Sequence, residues 1–180
     1  MNKMLKSAIT FLVICIFAVY AFAEISINPS KDGVKIAYGK EKVILNNETP
    51  AATIADTTGS NVDVKYDTET GGVTINATSG SSTLTYGIAN IYLDAGESAR
   101  LSATGEFRTI SIAATKGEIL IIFPSGSKIV MSEGSAIQLV MRAGGNYYLS
   151  VTTGGVEYTN FQGNRKRLTT GNAPLLVQGF

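Results

Sequence analysis

The sequence predicts an all-β domain, and three observations carry that prediction. Apolar residues recur with period two from Ile25 to Val177, which puts alternate side chains on one face of extended strands. Glycine, 19 of the 180 residues, stands between almost all of these runs, where hairpin turns need it. After Glu24 helical spacing of apolar positions is nearly absent.

In chain order, Ile25/Ile27, Val34/Ile36/Tyr38 and Val43/Leu45 predict three short strands, broken by Pro29, Asp32-Gly33 and Gly39. Leu45 to Asn61 is polar, small and poorly periodic, and reads as a long loop or subdomain boundary. It divides the chain after the leader into N-terminal strands and loop at 24–60 and a main β-domain at 61–180. Alternation resumes at Val62/Val64/Tyr66, Val73/Ile75, Leu84/Tyr86/Ile88, Ile110/Ile112, Ile119/Ile121/Phe123, Ile129/Met131, Ile137/Leu139/Met141, Tyr147/Leu149/Val151 and Val156/Tyr158. Between them, Asp94 to Leu101 reads as a loop or the start of a strand, because Gly96 stands third and Leu101 is its only large apolar residue. Such spacings fit a single domain of short antiparallel-type strands, built as a sandwich, a roll or an irregular β-solenoid. Gly-Val-x-[Ile/Tyr] begins at Gly33, Gly72 and Gly155, separations of 39 and 83 residues that share no period.

Residues 1–23 read as a signal peptide. Lys3 and Lys6 form a positive start, Ala8 to Ala18 is apolar but for Thr10, and Ala21-Phe22-Ala23 is the small-x-small pattern cut before Glu24. Removal takes away the single cysteine, Cys15, and leaves 157 residues with formal charge −1. The expected location is secreted or periplasmic, with no membrane span after cleavage.

Composition excludes most catalytic designs. The chain has no histidine, and after cleavage no cysteine, so neither imidazole nor thiolate is present for nucleophilic catalysis or zinc. Near-neutral charge offers nothing for nucleic acid to recognise. Ser125-Gly126-Ser127-Lys128 fits Ser-x-x-Lys, but that pairing needs a helix, and Phe123-Pro124-Ser125-Gly126-Ser127 reads as a turn. Asp67-Thr68-Glu69 ahead of Gly71-Gly72 resembles the start of a calcium loop but lacks the later glutamate, so a hairpin loop is expected. Asp63, Glu118 and Glu157 read as solvated surface. No catalytic residue, cofactor or metal is expected.

Two surface features remain. Arg165-Lys166-Arg167 is the sharpest charge cluster after the leader, read either as a patch for an anionic partner or as a guard on an edge strand. The strands from Tyr147 to Tyr158 form the second: Tyr147, Tyr148 and Tyr158 are expected to border an open edge, with core packing as the competing reading.

The run Gly117-Glu118-Ile119-Leu120-Ile121-Ile122-Phe123-Pro124-Ser125-Gly126-Ser127-Lys128-Ile129-Val130-Met131-Ser132-Glu133-Gly134-Ser135-Ala136-Ile137-Gln138-Leu139 resembles the strand, Pro-Asp-Gly-Ser turn, strand, Gly/Asn-Ser turn, strand pattern of FecR-like domains. Gly155-Val156-Glu157-Tyr158 followed by Leu168-Thr169-Thr170-Gly171 is similar to the ending of that domain, so the resemblance spans 117–171. It implies a β-rich, non-enzymatic extracytoplasmic module, found in regulators that relay a siderophore-receptor signal to a sigma factor and in standalone secreted proteins. Ser125 stands where the family has aspartate, and seven residues before the apolar run leave no room for a sigma-binding segment. The expectation is therefore a secreted or periplasmic module that binds protein or envelope polymer. The alternatives are a structural surface or filament subunit assembling through strand edges, so that an oligomer is allowed, and a carbohydrate-active enzyme.

Overall fold

The computed structural model describes residues 25–56, 58–105 and 107–177, so the cleavage site expected at Ala23 and Glu24 lies outside the described residues. Among these the chain is all-β, with seventeen strands and no helix. It lays β1 (Ile25–Ser30), β2 (Gly33–Tyr38) and β3 (Glu41–Leu45) in one sheet, then β4 (Ala51–Ala55), β5 (Asn61–Asp67) and β6 (Gly72–Ser79) in a second. From there it changes sheet after every hairpin. The first sheet receives β7 (Ser82–Tyr86) and β8 (Ala89–Leu93), the second β9 (Ser98–Thr104) and β10 (Thr109–Lys116). The next pairs are β11 (Ile119–Ile122) with β12 (Lys128–Met131), β13 (Ala136–Met141) with β14 (Tyr147–Thr153), and β15 (Gly155–Thr159) with β16 (Arg165–Thr169), before β17 (Leu175–Val177) closes the second sheet.

The larger sheet runs β16-β15-β12-β11-β8-β7-β1-β2-β3 and the smaller β17-β14-β13-β10-β9-β6-β5-β4. Neither closes into a barrel. Every pairing is antiparallel except β1 with β7. Alternation turns one face of each sheet inward, and Ile27, Ile36, Ile91, Ile121 and Ile129 of the larger sheet share one core with Val64, Ile75, Leu101, Ile112 and Leu139 of the smaller. Each such side chain contributes about 1.5–3 kcal/mol relative to exposure. That shared core is why the protein is a single domain.

Three details differ from the sequence reading. The polar stretch Leu45 to Asn61 contains β4, paired with β5 along its whole length, and residues 25–56 join the same core as the rest. Ile88 lies in a tight turn instead of extending a strand, and Ala89, Ile91 and Leu93 form the inner face of the separate β8. A regular spacing exists where the glycine motif shows none: hairpins of the larger sheet start at Ser82, Ile119 and Gly155, 37 and 36 residues apart. Strands opening the matching units of the smaller sheet start at Ser98, Ala136 and Leu175, 38 and 39 residues apart. No helix among the described residues is long and apolar enough to cross a membrane.

Candidate functional site

The outward face of the larger sheet carries a groove of about 710 Å³ near its β16 end. Ladder register builds its floor. Leu120, Val130, Glu157 and Arg167 lie side by side across β11, β12, β15 and β16, and Lys128, Thr159 and Arg165 form the next row. Arg165 and Arg167 are two residues apart on one face, roughly 7 Å along the strand, and Lys128 stands two strands from Arg165, roughly 10 Å away at the backbone. Glu118 and Glu157 line the same groove. Although Glu157 is directly opposite Arg167, the ion pair found among the described residues is Arg100 with Asp67, so all three groove cations are left to solvent.

A fixed loop forms the wall. Asn160 accepts the Gln162 and Asn164 N–H groups on Oδ1 at 3.0 and 2.8 Å and donates its own N–H to the Asn164 carbonyl at 3.0 Å. Gly163 takes a positive φ of 87° that closes the turn. Phe161, held in this polar loop, is 63% exposed and borders the groove. Its signal in the sequence is a large apolar residue among Asn, Gln and Gly, which strand periodicity does not register.

The structure divides the basic triplet between faces. Arg165 and Arg167 line the groove, while Lys166 lies opposite Tyr158 and shares the inward side with Leu168, exposed only because β16 is the last strand. β16 is thus an edge strand that carries three exposed cations.

The tyrosine edge is corrected. The chain changes sheet at Gly154, where φ is 68°, so β14 and β15 are neighbours in sequence but not in a sheet. β15 has partners on both sides, and β14 is covered by β13 and, at Tyr147 to Leu149, by β17. Tyr147 and Tyr158 are buried, their hydroxyls donating to the Phe107 carbonyl at 2.9 Å and to Ser127 Oγ at 3.3 Å. Tyr148 faces outward on the smaller sheet, with the Arg142 guanidinium 4.6 Å from its ring centre. The three do not form a common surface.

Asp67 and Glu69 form a turn. Asp67 Oδ1 accepts the Glu69 and Thr70 N–H groups at 3.1 and 3.2 Å, and Oδ2 pairs with Arg100 at 2.6 Å, which leaves the carboxylate engaged on both oxygens. Ser125 lies in the turn between β11 and β12, where its Oγ accepts the Ser127 N–H at 3.3 Å, and Lys128 starts β12. Comparison with protein-family models, with curated proteins and with solved structures finds no match.

Proposed function

We propose that the protein is a non-enzymatic extracytoplasmic module that holds an anionic protein or envelope polymer on the outer face of its larger sheet. The observation that carries this reading is the groove that gathers Lys128, Arg165 and Arg167 beside the exposed ring of Phe161. Cations free of partners raise the local concentration of a polyanion, and a shallow sheet face accommodates a chain better than a small molecule. The residues that line the groove fall within 117–171, the stretch with FecR-like turns. The signal-peptide pattern read over residues 1–23 supports a place outside the cytoplasm.

The test is retention of the purified protein on immobilised polyanions, an acidic polysaccharide and lipopolysaccharide among them, against a neutral glucan. Retention by the acidic supports, lost with rising salt and in R165E/R167E, supports the reading. Equal retention by the neutral glucan, or none by any support, overturns it. A second reading, the self-assembling subunit, draws on the open outer edges of β4 and β17, which contain no charged residue. Sizing chromatography at two concentrations separates the two.

A further inference from the structure

We propose that β16 is a strand-addition site for an extended acidic polypeptide segment. The inference deepens the anionic-partner reading and rests on it for the sign of the charge. Its independent support is the phase of the backbone hydrogen bonds. The bond from Asn160 N–H to the Asn164 carbonyl fixes residues 160 and 164 as a hydrogen-bonded pair at the head of the β15–β16 hairpin. Bonded and non-bonded pairs then alternate down the ladder. Tyr158 with Lys166 and Val156 with Leu168 exchange bonds, so the N–H and C=O groups of Arg165 and Arg167 point away from β15, on the free side of the last strand of the sheet.

Thr169 confirms the phase. It is the next residue in this series, and its N–H donates to Asn172 Oδ1 at 2.8 Å while its carbonyl accepts the Asn172 N–H at 3.1 Å. The edge is thus closed at Thr169 by the following turn and open at Arg165 and Arg167, four backbone groups in a row. A polypeptide in extended conformation supplies matching donors and acceptors at this spacing, which a glycan does not.

Side-chain charge then selects the segment. Residues of an added strand directly opposite Arg165 and Arg167 have Cβ atoms about 4.5–5.5 Å from theirs on the groove face, and the residue between them meets Lys166 on the other face. A run of three Asp or Glu residues therefore meets all three cations. A second copy of this chain does not offer one: β4 and β17 contain no acid, and in β3 Glu41 is flanked by Lys40 and Lys42. The occupant is a segment of another protein.

The test uses fluorescence anisotropy with a labelled ten-residue peptide of strand-forming residues around three central glutamates, the same peptide N-methylated on the edge-facing amides, and an acidic polysaccharide as a charge-matched competitor. Binding of the parent peptide, weakened by about tenfold or more on N-methylation, supports strand addition. Because the protein is unaltered in that comparison, the result does not depend on a variant folding. R165E/R167E, checked by circular dichroism, is expected to lose the parent peptide. Equal binding of both peptides overturns the inference. Retention of the polysaccharide with no binding of either peptide overturns strand addition but leaves the anionic-partner reading standing, and loss of all three removes both.

Discussion

Tyr147 donates its phenolic hydrogen to the main-chain oxygen of Phe107 at 2.9 Å, which ties β14 to the turn before β10 across 40 positions of sequence. Phe107 needs the support. Its φ of 66° is positive without being glycine, and its ring meets Tyr86 edge to face, with centroids 5.3 Å apart and planes at 84°. Tyr147→Phe keeps the ring in the core and removes only the bond, so the expected loss is about 1 kcal/mol. Thermal melting should fall by roughly 2–4 °C in a domain of this size. An unchanged melting temperature would show that the turn holds itself.

Gly33 opens β2 and Gly39 follows it, both with positive φ, at 131° and 54°, yet they respond to different constraints. A Cβ on Gly33 would collide with the carbonyl oxygen of Leu45, which β3 places against it, whereas a Cβ on Gly39 meets nothing. Gly39→Ala is expected to cost about 1 kcal/mol of backbone strain. Gly33→Ala should cost roughly 3 kcal/mol, because the β2–β3 pairing must also shift. Urea unfolding of the two variants measures the difference, and equal midpoints would refute the close approach at Leu45.

Stability should fall at both ends of the pH scale for identifiable reasons. Asp56 is buried below the β4–β5 turn; burial acts to raise its carboxyl pKa, but bonds from the Thr58 hydroxyl, the Ser60 and Thr58 N–H groups and the Ser82 hydroxyl outweigh it and hold the pKa below its ordinary value. With the folded value depressed, this stabilisation is present above the unfolded pKa of about 3.9 and is lost as pH falls through the folded one. Tyr86 shifts the other way: burial pushes its phenol well above the usual range. Its contribution is full below about pH 10, where the unfolded phenol ionises, and is lost as pH rises beyond. Melting curves against pH should show Asp56→Asn closing on the parent protein below about pH 4, and Tyr86→Phe losing less stability than the parent above about pH 10.

The strands that sequence makes legible are those whose inner residues are large: Ile110/Ile112 and Ile137/Leu139 each predict the buried face of their strand. β4 and β9 are less visible for a physical reason. Their inner positions include Ala52 and Ala99, small residues that pack against neighbouring strands but add little to a periodic signal, and one large residue each, Ile54 and Leu101. The groove is legible only in part, because Arg165, Lys166 and Arg167 are adjacent in sequence while Lys128 and Glu118 arrive through pairing of β11, β12 and β15. Nor does the tyrosine edge follow from sequence proximity, since adjacent hairpins belong to different sheets.

That alternation yields the sharpest test of the proposed anion site. If the three basic residues acted as an undirected positive cloud, replacing any one would weaken polyanion binding equally, because screened charges at similar distances contribute similarly. The register argues otherwise: Arg165 and Arg167 open into the groove with Lys128, and Lys166 lies on the opposite face beside Tyr158. For an acidic polysaccharide, which uses the face and not the strand edge, Arg165→Ser and Arg167→Ser should each weaken binding by about three- to tenfold, as loss of one charge-assisted contact worth about 1 kcal/mol requires. Lys166→Ser should change it less than twofold. All three side chains are exposed, so each variant should melt within about 2 °C of the parent, since surface substitutions stay near ±0.5 kcal/mol. Isothermal titration at fixed low salt reads the three affinities, and an equal loss for Lys166→Ser would place the polymer on the edge or inner side of β16 instead of in the groove.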